Sequence, residues 1–271
     1  MKRGARLGGV WAVALALAAC QLAPATAAPN AAAASGVPSA APTATPAAPS
    51  PSPAPTQPEI VLPPPPAALG TPTPDPNAGV GAVVFQDPLD DSTGHNWAFE
   101  SESAVFAILG GQLNAVMKQS NVGFRLRAGP NVSVGDQQVR VTARTNLCYE
   151  RDEYGLLFRA QVQPDGAYAG YLIKLNCAGQ ARVEQLRGTA STTLVDWTLS
   201  AAIVPGAPAE NTLLVWAAGA QFHFFVNDRY LFEAHDASFA AGTYAFYLRD
   251  RTNGGESVSF SGLVARALTA P

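Results

Sequence analysis

The stretch YGLLFRAQVQPDGAYAGYLIKLNC, residues 154–177, alternates large apolar residues with others on both sides of a central QPDGA. Successive side chains of a β-strand point to opposite faces. One face of the first run therefore carries Tyr154, Leu156, Phe158, Ala160 and Val162. The other face carries Gly155, Leu157, Arg159, Gln161 and Gln163. An apolar face opposite a half-polar face predicts a hairpin of a β-sandwich, whose second face is where a functional surface is expected.

Short strand-like runs continue on both sides of this hairpin. A run such as AVVFQDPL, QQVRVTART, TLLVWAA or TYAFYLR occurs about every ten residues, and turn sequences such as GG, PDG and VNDR separate the runs. Helical periodicity is almost absent, which predicts an all-β sandwich or barrel. The segment STTLVDWTLSAAIVPGAPAEN is ambiguous, and it fits a strand followed by a loop or helical turn before Pro205.

The first 19 residues predict a lipoprotein signal peptide. A basic start with Lys2, Arg3 and Arg6 precedes an apolar run that is too short to span a bilayer as a mature helix. The run ends in LAAC, which resembles the bacterial lipobox, so Cys20 is expected to be lipidated as the first residue of the mature protein. The alternative is a plain signal peptide that is cleaved at a later ATA-A-like site.

Residues 20–80 have the composition of a tether. From Gln21 onward this segment holds 17 of the 23 prolines, with Ala, Ser and Thr between them, and its only charges are Glu59 and Asp75. Such a segment cannot bury enough apolar surface to fold, and runs such as PPPP favour extended polyproline II. We expect a disordered tether that holds a domain away from a membrane.

Residues 81–271 are long enough for one folded domain with its own core. They carry 14 Lys and Arg against 18 Asp and Glu, which is a net charge of −4. A mildly acidic domain is a poor partner for nucleic acid, so that class of function is excluded. We expect the domain to be a monomer.

Two cysteines, Cys148 and Cys177, are left once Cys20 is assigned to lipid. An exported protein meets oxidising conditions in many bacteria, so we expect these two residues to form a disulfide. If their strands belonged to one sheet, strand ends two strands apart would lie about 10 Å from each other, beyond the reach of a disulfide. The loop CYERD would then have to fold over the sheet edge. Two separate buried thiols are the alternative.

Several motifs of the domain resemble a known family. LVDW precedes a proline-interrupted loop, NTLLV opens a strand, GAQFHFFVN forms a hairpin, and DASFAAG forms the turn into the penultimate strand. Together with FQDPLDDSTGHNW and YGLLFRA, they resemble the concanavalin A-like lectin/glucanase superfamily, and within it the 3-keto-disaccharide hydrolase-like modules, from Phe85 to Ala267. The resemblance implies a jelly-roll sandwich of two antiparallel sheets. Because the motifs are mostly architectural, it supports the fold better than an activity.

The chain departs from the enzymes of that superfamily. Laminarinase-type members carry a Glu-x-Asp-x-Glu group on one strand, and no such group occurs here. Retaining glycosidases need two carboxyl groups about 5 to 5.5 Å apart, and no strand supplies that pair by spacing alone. The hairpin also has Asn227-Asp228 where Asn-Gly is usual, and the last strand reads SFSGL. We therefore assign no catalytic residue from the sequence.

The stretch DPLDDSTGH is the candidate metal site, with Asp87, Asp90 and Asp91 beside His95. Carboxylate oxygens are ligands that Ca²⁺ takes, but aspartates around Pro, Ser, Thr and Gly more often form turns. His223 and His235 have no Cys or His partner at zinc spacing. We expect no cofactor, with Ca²⁺ at the aspartates as the alternative.

Aromatic and basic residues on faces opposite the expected core form the candidate ligand site. They are Arg159, Tyr168, Trp216, His223, Tyr247 and Arg249. Flat aromatic rings suit the apolar side of a pyranose, and planar donors suit its hydroxyl groups. The alternative is ordinary amphipathic packing, in which Arg stacks on aromatic rings.

Taken together, these features predict an exported lipoprotein. Its lipid is expected to anchor it to a membrane, on the cell-surface or periplasmic side. Its sandwich is expected to bind glycan or another envelope polymer without catalysis. The enzymatic alternative, implied by the family resemblance, is hydrolysis or elimination on a 3-keto-glycoside, or glycoside hydrolysis. A structural adaptor of the cell envelope is the third hypothesis.

Overall fold

The computed structural model describes residues 72–252 and 255–269, so the predicted signal peptide, Cys20 and most of the predicted tether lie outside the described residues. The described residues form fifteen strands and no helix, and hence no helix that could cross a membrane. The strands are β1 (Val80–Asp87), β2 (Phe99–Glu100), β3 (Ala104–Leu109), β4 (Gln112–Met117), β5 (Arg125–Ala128), β6 (Gln137–Leu147), β7 (Glu153–Val162), β8 (Tyr168–Asn176), β9 (Gln180–Arg187), β10 (Ala190–Leu199), β11 (Ala209–Ala218), β12 (Gln221–Val226), β13 (Arg229–His235), β14 (Thr243–Arg249) and β15 (Glu256–Leu268).

The strands form two antiparallel sheets. The nine-stranded sheet has the order β13-β12-β11-β6-β15-β4-β3-β2, and β1 also pairs with β15. The six-stranded sheet has the order β10-β9-β8-β7-β14-β5. The predicted all-β sandwich is confirmed, and the opening hairpin is β7 and β8 of the six-stranded sheet.

The core lies between the two sheets and is rich in aromatic rings. The ring centroids of Tyr171 on β8 and Phe222 on β12 are 4.6 Å apart, and Phe158 on β7 packs edge-on against Phe222 at 5.5 Å. Tyr154, Leu156 and Phe158 all belong to this core, as the alternation along β7 predicted. Burial of such large side chains at every second position is what drives the two sheets together.

The predicted alternation along β7 fails immediately after Phe158, at a β-bulge. The pairing of β7 with β8 shifts register between Phe158 and Gln161, and Arg159 has a φ of 48°. The Arg159 guanidinium consequently reaches the core, 5.3 Å from the centroid of the Phe222 ring, while Ala160 packs with Leu157 on the opposite face. The prediction that Arg159 lies on the second face is wrong, because a bulge inserts one residue and reverses the faces that follow.

Two glycines on the neighbouring strands and loops make room for this bulge. A Cβ at Gly242 would lie 2.4 Å from the carbonyl carbon of Arg159, and a Cβ at Gly170 would lie 3.0 Å from the carbonyl oxygen of Phe158. Gly170 also has a φ of 152°, which other residues rarely adopt. The backbone on both sides therefore approaches the bulge more closely than any side chain would allow.

The predicted disulfide between Cys148 and Cys177 is confirmed, and the two Cα atoms are 5.8 Å apart. Cys148 follows β6 of the nine-stranded sheet, whereas Cys177 follows β8 of the six-stranded sheet. The bridge thus joins the two layers at one end of the sandwich. The one-sheet arrangement considered from the sequence does not apply, because β6 belongs to the other layer.

Candidate functional site

The face of the six-stranded sheet that points away from the nine-stranded sheet, here called the outer face, has an apolar half and a charged half. The apolar half consists of Leu157, Ala160, Leu172, Leu186 and Ala245, and Tyr247 lies at its border. The charged half, here called the charged cluster, consists of Glu153, Lys174, Arg182, Glu184, Trp197, Tyr247 and Arg251. Buried charges on a sheet are costly unless they are paired, so the pairing within this cluster decides what it can do.

Lys174 is at the centre of the charged cluster. Its Nζ atom lies 3.0 Å from Glu153 Oε2 and 3.1 Å from Glu184 Oε2, and all three side chains are buried. The ammonium also lies 5.4 Å from the centroid of the Trp197 ring and 5.6 Å from that of Tyr247. Two carboxylates and two aromatic rings thus compensate the desolvation of one cation.

The register of three strands brings these side chains together. Gly155 on β7 pairs with Lys174 on β8 and with Tyr247 on β14. A Cβ at Gly155 would lie 2.1 Å from the carbonyl oxygen of Ile173, so only glycine fits there. Since no side chain separates them, Lys174 and Tyr247 approach each other across Gly155.

Two arginines flank the two carboxylates. Arg251 Nε donates to Glu153 Oε1, and Arg182 Nε lies 2.9 Å from Glu184 Oε1 as an ion pair without hydrogen-bond geometry. The Arg182 guanidinium also lies 5.9 Å from the centroid of the Trp197 ring. Each carboxylate is therefore shared between Lys174 and one arginine.

The protonation states of Glu153 and Tyr247 follow from these contacts. Burial opposes ionisation of Glu153, but the charge of Lys174, the hydrogen bonds from Lys174 and Tyr247 and the charge of Arg251 together bring its pKa below the ordinary value. The Tyr247 hydroxyl donates to Glu153 Oε2 at 2.8 Å, and burial together with the Glu153 charge raises the pKa of Tyr247 well above 10. Glu153 is thus a carboxylate acceptor and Tyr247 a phenol donor at neutral pH.

A cavity of about 290 Å³ opens beside the charged cluster. It is lined by Arg151, Glu153, Asn176, Gln180, Arg182, Trp197 and Arg251. A smaller cleft of about 160 Å³ is lined by Asn121, Gly123, Arg151, Arg249, Asp250 and Arg251. Arg151 and Arg251 line both spaces, so the cavity and the cleft are adjacent.

A larger cleft of about 570 Å³ lies elsewhere on the domain, near the turn of the opening hairpin. Among its walls are Gln163, Arg187 and Phe239, and its charged residues are Asp165 and Arg187. It lacks the convergent charges and the indole of the charged cluster. The cavity beside Trp197 is therefore the stronger candidate site.

Three of the six predicted ligand-site residues lie on the six-stranded sheet's outer face. Tyr247 belongs to the charged cluster, and Arg249 lines the smaller cleft. Tyr168 lies at the other end of the outer face, where it packs against the apolar half. The structure therefore brings two of the six residues to the candidate site.

Trp216 and His223 lie on the nine-stranded sheet instead, on β11 and β12. Their rings stack with centroids 5.0 Å apart at 16°. Trp216 Nε1 donates to the carbonyl oxygen of Ala78 at 2.8 Å, and burial lowers the pKa of His223. These contacts match the packing alternative considered for this pair.

Arg159 lies inside the domain, where it is 1% exposed. Its Nη1 donates to the carbonyl oxygens of Gly219 at 2.7 Å and Phe239 at 3.1 Å, and its Nη2 donates to Asp136 Oδ1 at 2.9 Å. The guanidinium thus ties three loops to the six-stranded sheet.

Six residues of the charged cluster were not among the predicted site residues: Glu153, Lys174, Arg182, Glu184, Trp197 and Arg251. A signal is present in YLIKLN, where Lys174 alternates with the core residues Ile173 and Leu175. In RVEQL the charged residues Arg182 and Glu184 flank the core residue Val183. Where no bulge interrupts the alternation, such a charge lies on the face opposite the core. No such signal exists for Trp197. The register of β10 shifts twice along its pairing with β9, so simple alternation does not predict which face Trp197 lies on.

The predicted metal-site aspartates form the turn after β1. Asp87 Oδ1 accepts from Leu89 N at 2.8 Å, and Asp87 Oδ2 accepts from Trp97 Nε1 at 2.8 Å and contacts His95 Nδ1 at 2.7 Å. Asp90 Oδ1 accepts from the backbone N–H two residues later, at 3.0 Å. Within residues 72–252 and 255–269 no group of three or more His, Cys, Asp or Glu side chains is placed to hold a metal ion. These contacts fit the turn-forming alternative.

Solved structures with the same architecture include proteins that act on carbohydrate. Carbohydrate binding module CBM66 from Bacillus subtilis is 15% identical and has a TM-score of 0.50, over 62% of this chain and 94% of that one. A Bacillus subtilis protein of unknown function with a galectin-like fold is 12% identical, with a TM-score of 0.52 over 71% and 99%. The β-glucanase of Bacillus licheniformis is 8% identical, with a TM-score of 0.50 over 70% and 99%. The fold is a concanavalin A-like jelly roll.

At identities this low the similarity shows the fold alone. No protein family model and no curated protein sequence matches this chain. The function of the jelly roll in this chain therefore depends on the chemistry of the charged cluster and its cavity.

Proposed function

We propose that this protein is an exported lipoprotein whose jelly roll binds glycan in the cavity beside Trp197. The observation that carries the proposal is a half-buried indole in a cavity wall that also holds guanidinium and amide donors. A pyranose packs its apolar side on an aromatic ring and hydrogen-bonds its hydroxyl groups to planar donors. The rigid sheet beneath holds these groups in place before the ligand arrives, which lowers the entropic cost of binding.

The similar structures support this choice of ligand class. One is named as a carbohydrate binding module and another as a β-glucanase, so the jelly roll serves glycan recognition in those proteins. Fold by itself does not specify function, and in this chain the paired charges and the cavity add the chemistry.

The N-terminal sequence supports display from a membrane. A basic and apolar leader ends in LAAC, and a segment rich in proline separates Cys20 from the jelly roll. Mass spectrometry of the mature protein tests the anchor: a diacylated or triacylated Cys20 is expected, and a free N-terminus downstream of Cys20 would contradict it.

The test of the binding site compares two tryptophans on opposite sheets. Trp197→Ala should weaken binding to the best ligand of a glycan array by about tenfold or more, because a stacked aromatic ring is typically a dominant contact. Trp216→Ala on the nine-stranded sheet is the matched control and should leave binding unchanged. Loss of binding in the control alone would move the site to the nine-stranded sheet, and no array ligand for the full chain would overturn glycan binding.

Glycoside hydrolysis is the second candidate, favoured by the closeness of Glu153 and Glu184. One oxygen of each lies within 3.1 Å of the same Lys174 Nζ atom. However, a general acid needs a raised pKa, and the pKa of Glu153 is lowered. Release of reducing ends from the bound glycan, or turnover of a 3-keto-disaccharide, by the native protein but not by Glu153→Gln would establish an enzyme.

A further inference from the structure

Positive charge is in excess where the cavity meets the smaller cleft. Lys174, Arg182 and Arg251 are each paired with a buried carboxylate of the charged cluster. Arg151 and Arg249 add two further guanidinium groups, and neither forms an ion pair with any residue in the described part of the chain. The two unpaired arginines line the same cleft of about 160 Å³.

The acidic groups near the cleft form no ion pair with these two arginines in the described part of the chain, and the cleft wall holds three arginines against the one carboxylate of Asp250. Asp250 lines the cleft, but its Oδ2 accepts from Ser120 Oγ at 2.7 Å and its Oδ1 accepts from Thr252 N at 2.9 Å. Asp152 is buried, and its Oδ1 accepts from the backbone N–H groups of Arg251 at 2.9 Å and Thr252 at 3.1 Å. Both carboxylates thus serve the loop that follows β14.

Composition does not account for a cluster of unpaired arginines. The domain carries a net charge of −4, so a positively charged end of the outer face is opposite in sign to the domain as a whole. Like charges that converge without partners repel each other, and an anion bound among them would remove that cost.

The geometry selects the kind of anion. A guanidinium presents its N–H donors in a planar fork that matches the two oxygens of a carboxylate, and it binds sulfate or phosphate oxygens in the same way. Arg151 and Arg251 line both the cavity and the cleft. A sugar ring against Trp197 and an acidic substituent in the cleft can therefore belong to one saccharide.

We infer that the glycan is acidic, with its ring in the cavity beside Trp197 and its anionic substituent, a carboxylate or a sulfate ester, between Arg151, Arg249 and Arg251. This inference rests on the proposed glycan binding and adds the charge of the ligand. Lys174 pairs with Glu153, which forms part of the cavity wall, while the unpaired arginines supply the specificity.

The experiment uses the full chain on a glycan array that carries oligogalacturonates, their methyl esters, sulfated galactans and neutral gluco-, galacto- and fructo-oligosaccharides. Calorimetry with the strongest array ligand then compares the native protein with Arg151→Gln/Arg249→Gln. Both arginines are at least partly exposed, so the double variant should keep the native unfolding temperature. The control is Arg266→Gln, which removes an exposed arginine from the nine-stranded sheet.

The expected result is binding to acidic glycans that the double variant weakens by about tenfold or more and that Arg266→Gln leaves unchanged. Raising the salt concentration should weaken glycan binding by the native protein more than glycan binding by the double variant. Binding to oligogalacturonate but not to its methyl ester would assign the carboxylate, and binding confined to sulfated galactans would assign the sulfate ester.

Other outcomes separate this inference from the proposed function. Neutral ligands that depend on Trp197 but not on the two arginines would overturn the acidic ligand and leave glycan binding intact. Acidic ligands that the double variant binds as well as the native protein does would also overturn the inference. No array ligand at all would overturn the proposed function and the inference together.

Discussion

Lys174 and Arg159 are buried cations on neighbouring strands of one sheet, and they are held in opposite ways. Arg159, on β7, faces the core and donates to backbone carbonyl oxygens and to Asp136, whose side chain is 52% exposed. Lys174, on β8, faces outward and pairs with two carboxylates that are themselves buried. Backbone partners fix loops in place, whereas side-chain partners beside a cavity can exchange contacts with a ligand. The comparison therefore separates a structural cation from one in a recognition site.

Replacing Arg159, the structural cation, should have the largest effect on the free energy of unfolding. Arg159→Met leaves the carbonyl oxygens of Gly219 and Phe239 without their donor, and we expect a loss of about 3 to 4 kcal/mol in the free energy of unfolding. Glycan affinity of the folded protein should not change. Urea denaturation and calorimetry measure the two quantities.

The control for this prediction is Arg140→Met. Arg140 forms an exposed ion pair with Asp228, and its replacement should cost less than about 1 kcal/mol. Equal losses in the free energy of unfolding would show that the buried hydrogen bonds of Arg159 stabilise the fold no more than an exposed ion pair does.

Replacing Lys174 should have a smaller effect on stability and, unlike Arg159, should also weaken binding. Lys174→Met leaves Glu153 and Glu184 buried with one arginine each, so we expect a loss of about 2 to 3 kcal/mol in the free energy of unfolding. Lys118→Met is the matched control, since Lys118 pairs with Glu100 at the surface. The triple variant Lys174→Met/Glu153→Gln/Glu184→Gln should recover part of the loss, because it removes the uncompensated carboxylates. Stability loss without any change in glycan affinity would mean that the charged cluster is only structural.

Glu256 is a third buried ionisable residue, and within the described chain it lacks both the backbone partners of Arg159 and the oppositely charged partners of Lys174. It is 0% exposed, and among the described residues neither carboxyl oxygen has a hydrogen-bond partner, although the Arg249 backbone lies close. Burial and the nearby charges of Asp152, Asp250 and Glu153 raise the pKa of Glu256 well above its ordinary value of 4.5. The folded protein therefore keeps the Glu256 carboxyl protonated to a higher pH than the unfolded chain does.

The pH dependence follows from the sign of that shift. Because the pKa is higher in the folded than in the unfolded chain, the contribution of Glu256 to stability is complete below about pH 4.5 and is lost as the pH rises toward the folded pKa. Glu256→Gln should therefore raise the free energy of unfolding more at pH 7 than at pH 4. Denaturation curves of both proteins at the two pH values measure the difference, and a difference that does not shrink on acidification would contradict the raised pKa of Glu256.

Local patterns were sufficient for the sandwich and the opening hairpin. Alternation along Tyr154, Leu156 and Phe158 predicted the core face correctly, because a strand sets its faces by a period of two residues. The disulfide was predicted from cysteine number and compartment. Its role in joining the two layers was not, since that depends on which sheet holds β6.

The candidate site was predicted only in part, at Tyr247 and Arg249. Arg159 was misplaced because the bulge that turns it inward depends on Gly242 and Gly170, which come from other parts of the chain. Trp216 was assigned to the site from its outward position alone, and it lies on the other sheet. The sequence of one strand predicts which of its residues lie on the same face. Which strands contribute residues to the same site depends on the order of the strands in the sheet.

The amino-acid sequence by itself determined the class of the fold and the core face of β7 as far as Phe158. It also predicts the bounds of the folded domain and an exported, lipid-anchored protein. Only the tertiary structure decided which charges meet. Arg251 reaches Glu153 across 98 residues of sequence, and Lys174 reaches it across 21. Periodicity is set by neighbouring residues along one strand, whereas the charged cluster arises from the order and register of β7, β8, β9, β10 and β14 in one sheet. No local pattern contains that order.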